Sequence, residues 1–309
     1  MNGEFPSEMM VPRALITGLR GFTGPYLAQE LKAAGYEVYG TALGAEPGGK
    51  NVHIVDLCDR DALMKVVAAV QPDVVAHLAG ISFVAHSNVE AIYRINLVGT
   101  RNLLEALAEC GKAPRAVLLP SSANVYGNAV AELIDESVPL VPANDYAVSK
   151  LAMEHMARLW FDRLPVFITR PFNYTGIGQD RNFLIPKIVA QFSAQSREIE
   201  LGSLDVAREF SDVRMVAAVY RRLIDAAPAG ETFNVCSGIA YSLSEVLSMM
   251  SGIAGYEIAV KVNPAFVRAN EVKRLVGSNA RLKKAIGDLP LIPLSETLRW
   301  MYAAAVAQR

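Results

Sequence analysis

At 309 residues the chain is long enough for one large or two ordinary domains. With 52% hydrophobic and 20% charged residues it can fill a substantial core, which excludes global disorder. A net charge of −1 without a long basic run excludes an extended nucleic-acid surface.

The three cysteines, Cys58, Cys110 and Cys236, are odd in number and far apart. They argue against a disulfide framework, show no metal-ligand spacing, and are expected as buried thiols. The N-terminal MNGEFPSEMM has no apolar signal core, and no uninterrupted apolar run reaches the roughly 18 residues of a membrane span. A cytoplasmic protein without a membrane partner is the expectation.

Residues 13–17 (RALIT) predict a short strand, followed at once by Gly18-Leu-Arg-Gly21-Phe-Thr-Gly24 and a helix to about residue 34. Strand, glycine-rich turn and helix make a phosphate cradle: glycines admit the ligand, and the helix N-terminus offers free N–H groups. The spacing is G-x-x-G-x-x-G, one residue off the commoner fingerprint. Gly18, Arg20, Gly21, Phe22, Thr23 and Gly24 are therefore candidate cofactor residues.

Strands follow at 36–41 and 52–55, the latter ending in Asp56-Leu57. A helix at 60–70 leads to a fourth strand, 73–78, which ends in Leu78-Ala79-Gly80. His53 and His77 sit inside strand patterns and are expected to be structural. A helix over about 89–110 returns to an apolar strand at 116–119, followed by Pro120, Ser121 and Ser122. Strict alternation of strand and helix predicts an α/β fold with a doubly wound parallel sheet. Ligands of such sheets bind beyond the C-terminal strand ends, which places Gly18–Gly24, Asp56, Ala79, Ser122 and the 146–150 face on one rim.

In NDYAVSKLAMEH, Tyr146 and Lys150 lie four apart on a predicted helix, so ammonium and phenol share a face. A free phenol, with a pKa of about 10, is a poor proton carrier near neutrality, and a nearby cation lowers that value. With a hydroxyl from Ser122, the trio would move a proton to or from an oxygen on carbon.

A sixth strand at 166–169 precedes Arg170-Pro-Phe-Asn-Tyr-Thr-Gly-Ile-Gly178, a loop at the same rim. Beyond it the pattern is mixed, with helices at 183–195, 213–226 and 243–251 and strands near 198–201 and 232–235. This predicts a dinucleotide-binding domain over 1–175 and a smaller lobe over 176–309, some of whose segments return to the first domain. No metal cluster is expected.

TGxxGxxG, HLAG, SSxxVYG, YxxxK and RPFN, in this order, resemble the extended short-chain dehydrogenases that act on nucleotide sugars. The resemblance covers nearly the whole chain. It implies a Rossmann fold and a catalytic Ser122, Tyr146 and Lys150 around a nicotinamide dinucleotide. Cofactor contacts are implied along the same rim, at Asp56, Leu57, Leu78, Ala79, Gly80 and Pro171. Phe183-Leu-Ile-Pro-Lys187, Leu201-Gly-Ser with Arg208-Glu-Phe, and Arg268-Ala-Asn-Glu271 are similar to the GDP-mannose 4,6-dehydratase branch. There Asn124, Asn173, Lys187, Arg208, Arg268 and Glu271 are implied in binding the sugar nucleotide, as guanidinium suits diphosphate. Within that branch the similarity is greatest to reductases of GDP-4-keto-6-deoxy-hexoses.

Dehydratases of this branch carry a glutamate two residues after the catalytic Ser or Thr, where this chain has Asn124. An amide cannot take the C5 proton, so dehydration is disfavoured. Reduction of a C4 ketone needs no such base, and neither does 4-epimerisation, which stays open. A non-enzymatic dinucleotide-binding role is the bland alternative, opposed by the intact Tyr–Lys pair.

No acid stands at the end of the second strand (Thr41-Ala-Leu-Gly44) to hold a ribose 2′-hydroxyl, and Arg20 lies in the glycine turn. G-x-R-G is similar to the NADPH-using GDP-fucose synthase. NADP(H) is therefore favoured, with NAD(H) as the alternative. The helices near 89–110 and 144–160 carry apolar residues on more than one side, among them Leu97, Leu103, Leu104, Leu107, Leu151, Met153 and Met156. They predict a homodimer through a four-helix bundle, as the resemblance also implies.

Overall fold

The computed structural model describes residues 11–44, 49–82, 88–129, 131–202, 204, 206–263 and 274–308. Its first half alternates as the sequence predicts: β1 (Arg13–Thr17), α1 (Gly24–Ala33), β2 (Glu37–Ala42), β3 (Val52–Ile54), α2 (Arg60–Val70), β4 (Val74–His77). Then come α3 (Val89–Tyr93), a π-helical stretch (Arg94–Gly99), α4 (Thr100–Glu109), β5 (Ala116–Pro120), α5 (Asp145–Arg158) and β6 (Val166–Pro171). The second half holds β7 (Tyr174–Thr175), α6 (Leu184–Ser193), β8 (Glu198–Leu201), β9 (Ala207–Glu209), β10 (Ser211–Asp212) and α7 (Val213–Ala226). It ends with β11 (Thr232–Val235), β12 (Ala240–Ser242), α8 (Leu243–Ala254), β13 (Ala259–Val262), β14 (Arg274–Leu275), α9 (Ala280–Ile286) and α10 (Leu294–Ala307).

Seven strands form one sheet in the order β11-β6-β5-β4-β1-β2-β3, every pair parallel. β4 and β5 are buried along almost their whole length, as central strands covered on both faces must be. On one face, Leu27 and Leu31 of α1, Val216 and Tyr220 of α7 and Leu282 of α9 pack with Ile16, Leu118 and Phe167. On the other, Leu63 of α2, Leu103 and Leu107 of α4 and Met153 of α5 pack with Leu15, Val117 and Ile168. A separate core joins α6, α8, α10 and β8 through Phe192, Val246 and Leu298.

β11, predicted as part of a mixed C-terminal region, extends the main sheet beside β6, and α7 and α9 pack on the face carrying α1. Leu103, Leu104, Leu107 and Met153 do not form an outer apolar face. They fill the chain's own core against the sheet, and Leu97 and Met156 pack at its margin. The apolar side chains left exposed on these helices are Val89, Val98, Val148 and Leu159. Of the thiols only Cys236 is buried; Cys58 and Cys110, near a strand end and a helix end, are half-buried.

Candidate active site

The glycine turn joins β1 to α1. Gly18 has φ +70°, and a Cβ there would lie 2.8 Å from the Ala79 backbone; at Gly24 it would lie 2.3 Å from the Leu19 carbonyl oxygen. Glycine alone allows both the left-handed turn and the close approach. Thr23 stands at the N-cap of α1 without a side-chain cap bond, leaving the first-turn N–H groups to an anion. Its hydroxyl meets the Tyr174 hydroxyl at 2.9 Å, and Phe22 stacks on Tyr174 with ring centroids 5.7 Å apart. The turn is thereby fastened to the loop that follows β6.

At the end of β4, hydrogen bonding fixes the state of His77. Thr100 donates its proton to the Asn96 carbonyl (2.7 Å) and therefore accepts from Nε2–H of His77 (2.9 Å). Nδ1 then accepts from the Thr17 hydroxyl (2.7 Å), whose oxygen receives the Ala79 N–H (3.3 Å). Burial, aided by the Lys150 charge, pushes this imidazole down to about 3, so it is neutral and structural. Asn96, carried on the π-helical stretch, accepts from the Ile81 N–H (2.9 Å) and donates to the Ile81 carbonyl (3.1 Å) and Ser149 Oγ (3.0 Å). It ties the segment after Gly80 to the residue before Lys150.

β5 delivers Ser121 and Ser122 to the rim. Ser122 caps a short 3-10 turn (Ala123–Tyr126), and its Oγ accepts both the backbone N–H and the side-chain amide of Asn124, each at 3.1 Å. Tyr146 is buried; this pushes its phenol up to about 12, while the Ser122 hydroxyl beside it pulls the other way. The Lys150 ammonium donates to the Pro120 carbonyl at 2.9 Å and sits beside Gly80, where a Cβ would lie 3.7 Å from it. Burial pushes Lys150 down to about 8, and Glu154, one turn on, works against that. The expected lowering of the Tyr146 pKa by Lys150 is not met: desolvation dominates the phenol, and the ammonium is directed at Pro120.

Some residues at the site escaped sequence reading. Arg170 binds Glu154 bidentately and also donates to the Tyr126 hydroxyl (3.0 Å), which donates to Asn234 Oδ1 (2.7 Å). The available signal was Glu154 itself, four residues after Lys150 and on the same helical face. Glu209, fully buried, accepts the N–H groups of Ser237 (2.7 Å), Gly238 (3.1 Å) and Gly277 (2.6 Å). It anchors the strand that carries Arg208.

The other expected residues are more dispersed. Asp56 is exposed and accepts from the Cys58 N–H (2.8 Å), while buried Leu57 accepts from Asn102 (3.0 Å). Leu78, Ala79 and Gly80 continue from β4, and Pro171 ends β6. Asn173 is exposed, with its carbonyl bonded to the Ser211 N–H (2.9 Å). Lys187 donates to the Glu200 carbonyl (3.0 Å) and Arg208 to the Ala207 carbonyl (2.9 Å), both within the lobe. Arg268 and Glu271 lie outside the described residues. Among the described residues no group of His, Cys, Asp and Glu could hold a metal ion.

A Ser–Tyr–Lys rim on a parallel dinucleotide-binding sheet defines an extended short-chain dehydrogenase/reductase. Residues 15–301 match the GDP-mannose 4,6 dehydratase family, and the chain belongs to it. It is 33% identical to a GDP-6-deoxy-D-talose 4-dehydrogenase of Aggregatibacter actinomycetemcomitans, over 89% of this chain and 92% of that protein. It is 36% identical to a GDP-6-deoxy-D-mannose reductase of Pseudomonas aeruginosa, over 94% of this chain and 96% of that protein. Among solved structures, a candidate epimerase of Burkholderia cenocepacia superposes with a TM-score of 0.91 at 54% identity, covering 96% of this chain and 98% of that one. RMD of Pseudomonas aeruginosa complexed with NADPH superposes with a TM-score of 0.86 at 33% identity, covering 96% and 100%.

Proposed function

We propose that the chain reduces the C4 ketone of a GDP-4-keto-6-deoxy-hexose with NADPH, forming GDP-D-rhamnose from GDP-4-dehydro-6-deoxy-D-mannose. The observation that carries this reading is the pairing of an intact Ser122, Tyr146 and Lys150 with Asn124, an amide bonded to Ser122 where dehydration would need a base. The names of the mannose-type and talose-type relatives support the same chemistry and differ in the configuration left at C4.

The rim fits a dinucleotide. The glycine turn leaves space that a Cβ would fill, and the Ser121 hydroxyl is buried at the end of β5 without a partner among the described residues. Arg20, Gln29, Lys32, Lys50 and Asn51 line an open groove of about 850 Å³ beside α1, a cationic setting for a 2′-phosphate. When bound, the reduced nicotinamide supplies the hydride that C4 receives. Tyr146 remains protonated far above neutrality and gives its proton to the developing C4 oxygen, which completes the alcohol. Ser122 donates to the same oxygen and holds it in line. Lys150 spends one of its three donors on Pro120 and offers the others to ribose hydroxyls. Asn173, Lys187 and Arg208 hold the sugar nucleotide, with Arg268 and Glu271 assigned to it by resemblance.

Incubation with GDP-4-keto-6-deoxy-mannose and NADPH tests the proposal. Stoichiometric NADPH oxidation with formation of the GDP-6-deoxyhexose is expected, and identifying that sugar distinguishes the rhamnose from the talose product. Conversion of GDP-mannose itself, or no turnover of the ketone, would overturn it. The likeness to the Burkholderia structure favours 4-epimerisation as a second reading; it predicts interconversion of C4 epimers without net NADPH consumption.

We also infer a cytoplasmic homodimer formed by the helices near 89–110 and 144–160. Val98, Val148 and Leu159 are 46%, 38% and 79% exposed on these helices and support such a face. No described helix is long and apolar enough to cross a membrane. A monomeric mass by sedimentation at micromolar concentration would overturn the dimer.

A further inference from the structure

The oxygen of Ser122 accepts two N–H groups from one residue, the backbone and side-chain amides of Asn124, both at 3.1 Å. A hydroxyl has one proton and two lone pairs. With both lone pairs engaged by Asn124, the proton is the one part of Ser122 left to point at Tyr146 and the substrate oxygen. We propose that Asn124 is a positioning residue that sets the direction of the Ser122 hydrogen bond, making Ser122 an obligate donor to the reacting oxygen.

The inference deepens the reductase reading and rests on it. A carboxylate at this position has no proton to offer. It would instead take the Ser122 proton and reverse the bond, leaving a lone pair facing the substrate oxygen. The residue that removes a base for dehydration thus also supplies a donor that reduction uses. Ketone reduction builds negative charge on the C4 oxygen, so a donor strengthens its contact as the reaction proceeds, whereas an acceptor opposes it.

Asn124→Asp tests this, since at pH 7 it preserves size while turning the amide donor into a charged acceptor, and Asn124→Ala removes the donor without adding charge. At pH 7 its kcat is expected to fall about 100-fold, in the range for loss of one oxyanion donor, with NADPH affinity unchanged. Protonating the new carboxyl restores a donor, so the ratio of variant to wild-type kcat should rise as pH falls from about 7 to about 5. Asn124→Ala, which has no proton to regain, should lose activity with a flat ratio. A substrate-independent measurement uses ζ-carbon-labelled tyrosine, with the Tyr146 resonance identified by its loss in Tyr146→Phe. That resonance should move in Asn124→Asp at neutral pH and return toward its wild-type position on acidification. A pH-independent ratio and an unmoved resonance would overturn the role of Asn124. A wild-type protein that fails to reduce the ketone while the resonance behaves as described would instead overturn the reductase reading.

Discussion

Arg170 holds Glu154 in a bidentate, buried ion pair, with Nε–Oε1 at 2.9 Å and Nη2–Oε2 at 2.7 Å. Its remaining nitrogen reaches Tyr126, so one guanidinium joins the helix bearing Tyr146 and Lys150 to the turn bearing Ser122. The relative placement of Ser122, Tyr146 and Lys150 is therefore set from beneath by a charge pair that water does not reach. Glu154→Gln would leave the guanidinium buried without its counter-charge. A stability loss of about 3–5 kcal/mol is expected, measured by denaturant unfolding. Joint replacement of Glu154 and Arg170 by methionine should recover much of that loss while kcat stays low, because the link to Tyr126 is gone. An unchanged unfolding midpoint in Glu154→Gln would refute the structural weight given to the pair.

Tyr146→Phe removes the proposed proton donor and little else, because the ring is buried and its hydroxyl faces Ser122. Turnover should drop by roughly 100- to 10,000-fold. NADPH affinity, followed by fluorescence titration, should change less than threefold, since Lys150 keeps its bond to Pro120. Near-full turnover in the variant would remove Tyr146 from the mechanism.

Two pKa directions give the site a pH window. Burial pushes Lys150 down to about 8 and Tyr146 up to about 12. If the ammonium holds the cofactor ribose as proposed, it does so only while protonated, so NADPH affinity should fall as pH rises through about 8. Over that range the phenol keeps its proton, so Tyr146 does not contribute to the decline. Titrations between pH 6 and 10 should show it, and Lys150→Met should flatten the profile at the weak end. A wild-type profile that stays flat to pH 10 would show that the ammonium does not carry cofactor binding.

The glycine turn and the Tyr146–Lys150 pair were legible because both are local. A strand–turn–helix and an i, i+4 spacing need no knowledge of the fold. β11 could be read as a strand but not placed, since its neighbour β6 is chosen by tertiary pairing across some sixty residues of chain. The Thr23–Tyr174 hydroxyl contact joins residues 151 apart, and nothing in either segment announces it. The placing of Leu103, Leu104 and Leu107 on an outer face fails for the same reason: their helical spacing fits an interface and a core equally, and here the sheet takes them. α10 is different. Leu294, Thr297, Leu298 and Met301, its buried residues, show the i, i+3, i+4, i+7 period, diluted by the alanines that follow.

On the proposed reading, Arg20 would set the cofactor choice. At the end of β2, Thr41 spends its hydroxyl on the Gly18 N–H (3.3 Å) and its carbonyl on the Leu19 N–H (3.0 Å), and no carboxylate stands among Thr41, Ala42, Leu43 and Gly44 to claim a ribose 2′-hydroxyl. Arg20 is exposed in the adjoining turn and shares its groove with Lys32 and Lys50, with Glu37 as the opposing charge. A 2′-phosphate placed there meets net positive charge and a planar donor set suited to it. A charge-assisted contact of this kind is worth about 1.5–3 kcal/mol, which corresponds to roughly a 10- to 100-fold change in affinity. Arg20→Ala should therefore weaken NADPH by about that factor and leave NADH within about twofold, eroding the preference between them. Comparing kcat/KM for both cofactors in wild type and variant reads this directly. Equal efficiency with both in the wild type, unchanged in the variant, would show that Arg20 does not read the phosphate.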